Sequence, residues 1–179
     1  RIAYGIVETI MNLILGATGQ LGSELRRLMP EARFLDEKQA DFTDLPALEK
    51  AVRELKPELL INAAAYTAVD QAEEERETAF QVNCEAPAKL AELAAEIGFK
   101  LIHVSTDYVF NGQSAAPYEE FQETDPLNVY GESKAEGEKN VLAACPQALI
   151  VRTSWVHSAF GKNFIKTVLR VGAEGKGMN

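Results

Sequence analysis

The sequence predicts an α/β protein built on a doubly wound parallel sheet. Short apolar runs alternate with longer amphipathic runs, which is the pattern of consecutive β-α-β units. A glycine-rich turn directly follows the first apolar run, and polar groups follow several of the later ones. A chain of 179 residues with 46% hydrophobic residues can bury the core of one such domain.

The first two predicted strands are short, and a proline ends the helix between them. Asn12–Leu15 is an apolar strand, and Arg33–Leu35 is the second strand. Between them, Gln20–Met29 has the spacing of a helix. This helix must end before Pro30, because proline has no backbone N–H to continue the hydrogen-bond ladder.

The second predicted helix has signals at both ends. Asp44 is the expected N-cap of the helix Leu45–Lys56, and Pro57 lies just beyond its end. Glu58–Ala63 follows as a third strand.

The longest amphipathic run is rich in alanine and glutamate. It predicts helical structure over Ala72–Ile97, with a kink or interruption at Pro87 and an end at Gly98. Leu101–Ser105 then forms a fourth strand, which its apolar run and its flanking residues indicate to be buried.

The last third of the chain contains a loop and a further β-α pair. Asn111–Pro126 is predicted as the loop because of its glycine and prolines. Tyr130–Ala144 is a helix, Ala148–Trp155 is the fifth strand, and a last helix covers Asn163–Val171.

Charge and composition exclude several classes of function. The net charge is −9, with 27 acidic and 18 basic residues, whereas a nucleic-acid surface normally presents a basic stripe. No apolar run approaches the roughly 18 residues that a membrane span needs. Cys84 and Cys145 are isolated and show no metal-ligand spacing, so we expect two free thiols in the reducing cytoplasm and assign no metal.

The chain's first residues do not resemble a secretory signal. Arg1–Ile10 contains Glu8 and lacks a basic start followed by a long apolar run. Met11 stands directly before the first predicted strand. We therefore interpret residues 1–11 as an N-terminal remnant or extension, and residues 12–179 as the folded domain.

The turn after the first strand has the pattern of a phosphate-binding loop. Gly16 permits a tight turn, Gly19 lets backbone N–H groups approach a pyrophosphate, and Gly22 lets the helix pack closely on the sheet. This pattern predicts a Rossmann domain that binds a dinucleotide. The residues that we expect to contact the dinucleotide here are Gly16, Thr18, Gly19, Gln20 and Leu21.

A carboxylate at the end of the second strand supports a dinucleotide. Asp36 follows Gly16 by 20 residues, where it could accept hydrogen bonds from the adenosine ribose, although a turn-forming aspartate is the alternative. Asp41 and Phe42 are expected near the adenine. An acid disfavours a 2′-phosphate, but Lys38 and a nearby arginine soften that repulsion, so both NADH and NADPH remain open.

Polar and small residues follow the later strands, at the edge where a doubly wound sheet binds its ligand. Ala63, Ala64 and Ala65 follow the third strand, and their small side chains would let the cofactor lie flat. Thr106 follows the fourth strand and offers a hydroxyl that can stabilise a developing oxyanion.

Tyr130 and Lys134 complete the predicted catalytic group. Their i, i+4 spacing places both side chains on one helix face. We expect the ammonium to lower the pKa of the phenol, which then protonates a carbonyl oxygen during reduction. Lys134 could also hold the nicotinamide ribose. Asn83 could anchor a water relay to Lys134 or simply satisfy the backbone, and the sequence leaves both readings open.

These motifs resemble the dTDP-4-dehydrorhamnose reductase family, within the extended short-chain dehydrogenases/reductases, across nearly all of Asn12–Arg170. The resembling stretches are Gly16-Ala-Thr-Gly-Gln-Leu-Gly22, Ile61-Asn-Ala-Ala-Ala-Tyr-Thr-Ala-Val-Asp70, His103-Val-Ser-Thr-Asp-Tyr-Val-Phe110, Pro126-Leu-Asn-Val-Tyr-Gly131, Arg152-Thr-Ser-Trp-Val156 and Gly161-Lys-Asn-Phe164.

The resemblance implies reduction of the C4 ketone of dTDP-6-deoxy-L-lyxo-4-hexulose to dTDP-L-rhamnose. It implies that Thr106, Tyr130 and Lys134 are catalytic, and that the sugar lies near Val69, Phe110 and Trp155. Family members are longer and hold the nucleotide-sugar on a further small domain, so we expect this chain to bind cofactor better than substrate. A homodimer is one option that the resemblance leaves open. The family's dimer contacts have been associated with magnesium, for which we find no ligand set.

Two other functions remain open. A sugar-nucleotide 4,6-dehydratase typically has Asp-Glu after its catalytic threonine, whereas Thr106 is followed by Asp107 and Tyr108, which disfavours dehydration but not 4-epimerisation. The regulatory subunit of methionine adenosyltransferase resembles the same family and acts through protein contacts. The intact Thr106, Tyr130 and Lys134 favour an enzyme.

Overall fold

The computed structural model of the protein describes residues 10–174, so the predictions for residues 1–9 and 175–179 lie outside it. The described residues form a five-stranded parallel sheet of order β2-β1-β3-β4-β5. The strands are β1 Asn12–Leu15, β2 Arg33–Leu35, β3 Leu59–Asn62, β4 Lys100–Thr106 and β5 Leu149–Thr153. The helices are α1 Gln20–Leu28, α2 Leu45–Leu55, α3 Val69–Ala72, α4 Arg76–Phe80, α5 Ala86–Ile97, α6 Val129–Ala144 and α7 Phe164–Ala173.

The predicted doubly wound parallel sheet is confirmed. From β1 the chain crosses to β2 on one side, and β3, β4 and β5 then continue on the other side. The strand order therefore reverses between β1 and β3. Ligands of open α/β sheets bind in the crevice outside the carboxyl ends of the strands at such a reversal.

Buried side chains cover both faces of the sheet. On one face, Leu13 and Leu15 pack with Leu60 and with residues of α2 and α5, such as Leu90. On the other face a smaller cluster joins Ile14, Phe34 and Ile61 to α1. Because both faces are covered, β1, β2 and β3 carry consecutive apolar residues, as expected for a buried parallel sheet.

The predicted signals at the helix ends are present. The Asp44 carboxylate accepts a hydrogen bond of 3.0 Å from the Ala47 N–H and so caps α2. Lys56 was predicted as the last residue of this helix, but it is the C-cap in a left-handed conformation, with φ 45°. Gly98 caps α5 in the same way, as predicted, with φ 94°.

The long helical run is divided, and the division lies mainly before the predicted proline. A π-helical turn over Gln81–Glu85 joins α4 to α5, in whose first turn Pro87 lies. Pro87 cannot donate to the carbonyl of Asn83 four residues earlier, which leaves that carbonyl turned toward α6. A Cβ added to Gly137 of α6 would collide with it. The missing side chain of Gly137 thus lets α6 approach this turn closely.

The last described helix is largely uncovered. No residue of α7 is buried by other described residues, and Phe164, Ile165 and Leu169 are all exposed. None of the helices in residues 10–174 combines the length and the apolar character that a bilayer crossing requires.

Candidate cofactor cleft and catalytic group

A cleft of about 940 Å³ lies at the carboxyl ends of the strands, at the reversal of strand order. This volume is near the upper end of the range for ligand pockets. Most of the residues predicted from the sequence line it. They are Gly16, Thr18, Gly19, Gln20, Leu21, Asp41, Phe42, Ala63, Ala64, Ala65, Val69, Thr106, Tyr130, Lys134 and Trp155. Asp36 and Phe110 are not among its lining residues.

Asp36 forms a turn. Its Oδ1 accepts hydrogen bonds from the backbone N–H groups of Lys38, at 3.1 Å, and of Gln39, at 3.2 Å. These bonds are those of the turn-forming aspartate that the sequence left as an alternative. The neighbouring Glu37 lines the cleft instead.

Phe110 belongs to a separate aromatic cluster. Its ring stacks on Tyr118 with centroids 4.1 Å apart, and the Arg152 guanidinium lies 4.9 Å from the ring centroid. Trp155 does lie at the cleft, but beyond the end of β5, with a positive φ of 52° and 74% of its surface exposed. Its ring edge contacts Phe164 of α7.

The glycine turn fits closely against the end of β3. Gly16 has φ 86°, and a Cβ on it would lie 2.7 Å from the Ala63 backbone. A Cβ on Gly22 would collide with the Gly16 carbonyl oxygen. No side chain of residues 10–174 caps the α1 N-terminus at Gly19, so backbone N–H groups there remain available for an anion.

Gly22→Ala is expected to weaken both the fold and dinucleotide binding. The added Cβ must push the Gly16 carbonyl, and overpacking of this kind costs about 1–3 kcal/mol. Urea unfolding and an NADPH titration would measure the two effects. Gly172→Ala in α7 is the matched control, because no described atom outside its own helical turns lies within 4 Å of the new Cβ. Equal losses in the two variants would contradict the packing argument.

The Gln20 side chain forms a hydrogen bond with another segment of the protein. Its Oε1 accepts a hydrogen bond of 2.9 Å from the Asn163 Nδ2, which ties the start of α1 to the segment before α7. Gln20 was predicted to contact the cofactor, and its place at the cleft permits that through its backbone.

Tyr130 and Lys134 both lie on α6 and line the cleft, but the phenol is not made more acidic. Burial raises the Tyr130 pKa, and the negative charge of Asp107 adds to this, while the Thr106 hydroxyl acts in the opposite direction. The prediction that the Lys134 ammonium lowers the pKa of the Tyr130 phenol was therefore wrong. Tyr130 therefore keeps its proton throughout the neutral pH range.

The Thr106 hydroxyl is oriented by its neighbours. It accepts a hydrogen bond from the Tyr108 N–H at 3.2 Å and donates to the Asp107 carboxylate at 3.2 Å. The other Asp107 oxygen accepts from Ser154 at 2.6 Å. Thr106 can therefore donate to a ligand oxygen only if its proton turns away from Asp107.

Asn83 satisfies the backbone, which was one of its two predicted roles. Its Oδ1 accepts from the Tyr66 N–H at 2.9 Å, and its Nδ2 donates to the Tyr66 carbonyl at 3.0 Å. The same Nδ2 also donates to Ser133 Oγ at 3.0 Å. These bonds fix the loop after β3 against α6.

Ser105 is a cleft residue that the sequence reasoning missed. It is 4% exposed, and its Oγ is a buried polar atom without a partner among residues 10–174. A buried hydroxyl without a hydrogen bond is costly, so a polar ligand in the cleft would satisfy it. This hydroxyl and the glycine turn both fit a dinucleotide. The signal was present in the sequence as the serine directly before Thr106.

Lys134 is buried, with 1% of its surface exposed, and donates to the Val104 carbonyl at 2.8 Å. Desolvation lowers its pKa from 10.5 to about 8, against the opposing effect of Glu138. The unfolded chain therefore binds a proton that the folded chain has lost between pH 8 and 10.5. The free energy of unfolding therefore rises with pH between pH 8 and 10.5. Below pH 8 the folded protein bears the full cost of burying the Lys134 ammonium.

Lys134→Met is expected to stabilise the protein at pH 7. Removing the buried charge should raise the free energy of unfolding by about 2 kcal/mol, after allowance for the lost Val104 hydrogen bond. The difference from the wild type should shrink as the pH approaches 10, as urea unfolding at several pH values would show. A variant less stable than the wild type at pH 7 would contradict this prediction.

Across residues 10–174, no cluster of three or more histidine, cysteine, aspartate or glutamate side chains is placed to hold a metal ion. The two cysteines are free and buried.

The fold and the cleft define the class of protein. A doubly wound sheet with a glycine turn at β1, and threonine, tyrosine and lysine around one cleft, is the arrangement of a short-chain dehydrogenase/reductase. A family model described as the RmlD substrate binding domain matches residues 10–179. The chain belongs to the dTDP-4-dehydrorhamnose reductase family.

Individual relatives agree with this assignment. The chain is 44% identical to the dTDP-4-dehydrorhamnose reductase of Salmonella typhimurium, over 92% of this chain and 58% of that protein. It is also 44% identical to the Escherichia coli K12 enzyme, with the same coverage. The crystal structure of the Bacillus anthracis reductase with NADP superposes with a TM-score of 0.89 at 40% identity, over 93% of this chain and 60% of that one. The chain thus spans less than two thirds of the length of these relatives.

Proposed function

We propose that the whole protein reduces the C4 ketone of dTDP-6-deoxy-L-lyxo-4-hexulose to dTDP-L-rhamnose with NADPH or NADH. The observation that carries this proposal is that Thr106, Tyr130 and Lys134 line the same cleft as the glycine turn. Membership of the reductase family supports it, and the Bacillus anthracis relative was crystallised with NADP.

We further propose a division of labour along the chain. Residues 12–179 would bind the dinucleotide, and a further domain would hold most of the nucleotide-sugar. The coverage of 58% of the Salmonella relative supports this division. The exposed Trp155 and the partly buried Val69 at the cleft would form an apolar wall for the deoxysugar. Phe110 and Asp36 do not line the cleft, and their contacts with the sugar and the ribose stay predictions.

The part of the cleft formed by the glycine turn, the start of α1 and the end of β3 would bind the dinucleotide through its backbone. The uncapped N-terminus of α1 would hold the pyrophosphate, because its N–H groups and helix dipole favour an anion. Ala63, Ala64 and Ala65 leave room for a flat ring above the end of β3. When bound, a reduced nicotinamide supplies the hydride for the reaction.

The second half of the cleft would carry the proton chemistry. Tyr130 holds its proton at neutral pH, because burial raises the pKa of the phenol. It can therefore deliver this proton to the ketone oxygen as the alcohol forms. Thr106 would donate a second hydrogen bond to the same oxygen after turning from Asp107. Lys134, with a pKa of about 8, would remain mostly charged at pH 7 and bind ribose hydroxyls.

The proposal is tested by mixing the whole protein with NADPH and the 4-keto sugar nucleotide and following the NADPH absorbance. Net oxidation with formation of dTDP-L-rhamnose is expected. Unchanged NADPH together with tight binding of another protein would instead favour a regulatory subunit. Co-purified NAD⁺ with no net oxidation of added NADPH would favour an epimerase.

A further inference from the structure

Three buried polar side chains connect β3, β4 and α6 behind the cleft. Asn62 is fully buried, and His103 and Lys134 are each 1% exposed. The proposed function uses only Lys134. Because these groups are almost fully buried, neighbouring groups of the protein determine which of their atoms donate and which accept.

The orientation of the Asn62 amide is fixed by the backbone. Its Oδ1 accepts a hydrogen bond of 3.1 Å from the Ala64 N–H, so the oxygen and nitrogen of the amide cannot be exchanged. The Asn62 Nδ2 then faces the His103 Nδ1 at 3.0 Å. Since Nδ2 is a donor, Nδ1 must accept, and the proton of the neutral imidazole lies on Nε2.

This proton faces Lys134. The His103 Nε2 lies 3.4 Å from the Lys134 Nζ, and an imidazole N–H and an ammonium are both donors. The contact therefore does not hold the ammonium, which donates to the Val104 carbonyl at 2.8 Å. The imidazole itself stays neutral, because burial and the nearby Lys134 charge keep the His103 pKa well below its usual value.

The other charged groups near Lys134 do not replace this contact. Glu138 lies one turn later on α6 and favours the ammonium, but its carboxylate is paired with Arg152 of β5 at 2.6 Å. Tyr130, one turn earlier, keeps its proton and is neutral. The His103 Nε2–H of β4 is thus the hydrogen-bond donor that faces the Lys134 amine.

We propose that Asn62 and His103 are positioning residues, which present an imidazole N–H and not an acceptor to the Lys134 amine. The imidazole then does not hold this amine behind the cleft, and the hydrogens that do not bond to the Val104 carbonyl can be directed into the cleft. The part that concerns the cleft rests on the proposed function, because it assumes that Lys134 meets a bound dinucleotide. The part that concerns the tautomer does not. An imidazole of the opposite tautomer would accept from the ammonium and hold it behind the cleft.

The tautomer is measured by long-range ¹H–¹⁵N NMR of the imidazole rings in the 179-residue chain. The chain has two histidines, so a His157→Gln variant assigns the signals. The expected result is a neutral His103 with its proton on Nε2. A proton on Nδ1, or a charged ring at neutral pH, would overturn the proposal, and this readout needs no substitution at Asn62, His103 or Lys134.

Asn62→Asp should reverse the tautomer of the His103 imidazole. The aspartate can still accept from the Ala64 N–H, while its second oxygen accepts from His103 and draws the imidazole proton to Nδ1. Nε2 then becomes an acceptor for the Lys134 ammonium. We expect the pH at which Lys134 loses its proton to rise by about one unit or more. NADPH should bind about tenfold more weakly at pH 7, the scale of one hydrogen bond to a charged group.

The Lys134 titration is followed by ¹³C NMR of its Cε, with Lys134→Met to identify the signal. Asn140→Asp is the matched control, because it also replaces an amide by a carboxylate. Asn140 lies on α6, and its amide bonds to Cys84 and not to His103. If Asn62→Asp and Asn140→Asp give the same titration and the same NADPH affinity, the positioning role is wrong. If the wild type binds no NADPH, the proposed function fails. The two NMR measurements still decide whether His103 donates to Lys134 and whether Asn62 controls this contact.

Discussion

Replacing Tyr130 with phenylalanine is expected to lower kcat at least about a hundredfold and to leave NADPH affinity nearly unchanged. The substitution removes only the hydroxyl that would protonate the ketone. The ring itself should stay in place, because it is 8% exposed and its edge packs against Tyr108 with centroids 5.5 Å apart. Steady-state turnover of the whole protein and an NADPH titration give the two quantities.

Tyr118→Phe is the matched control for this prediction. It also removes one phenol hydroxyl, but Tyr118 does not line the cleft, and its hydroxyl makes a long hydrogen bond of 3.3 Å to Asn111. Turnover should remain near that of the wild type. If Tyr130→Phe also turned over at the wild-type rate, Tyr130 would not be the proton donor.

The sheet could be predicted well from the sequence because its signals are local. The bounds of β1 and β2 agree with the prediction, since Gly16 ends the apolar run of β1 and Asp36 ends that of β2. The cap at Asp44 and the left-handed glycine at Gly98 are local signals of the same kind. The reversal of strand order then brought the groups after β1, β3 and β4 to one cleft.

Side-chain direction was harder to predict than chain position. Asp36 stands at the expected end of β2, but its oxygen satisfies two backbone N–H groups of its own turn. Phe110 is four residues from Thr106 and yet packs outside the cleft, where its ring stacks on Tyr118 after the short helical turn Asp107–Val109. A motif gives the position of a residue along a strand, while local hydrogen bonds decide where its side chain points.

The pKa of Tyr130 shows a second limit of sequence reasoning. The i, i+4 spacing correctly brought Lys134 to the same cleft, and a nearby ammonium would lower the pKa of a phenol. Burial acts in the opposite direction and is the larger effect. The sequence could not reveal it, because desolvation depends on every element packed around the phenol. The same burial lowers the pKa of Lys134 itself.

Arg152→Met is expected to cause a large loss of stability. The guanidinium donates three hydrogen bonds to the Glu138 carboxylate, at 2.6, 3.0 and 3.1 Å, and the Glu138 side chain is only 5% exposed. Removing the arginine would leave a buried carboxylate without its counter-charge, which typically costs about 3–5 kcal/mol. Urea unfolding at pH 7 would measure the loss.

Arg53→Met supplies the control, because Arg53 also pairs with carboxylates but at the surface. Its partners Glu49 and Glu96 are 34% and 60% exposed, and exposed pairs contribute about 0–1 kcal/mol. Losses of equal size in the two variants would show that burial of Glu138 is not the cause. Changing Glu138 to methionine together with Arg152 should recover much of the stability, since the unpaired charge is then gone. The ion pair therefore stabilises the fold mainly because each partner would be costly to bury alone.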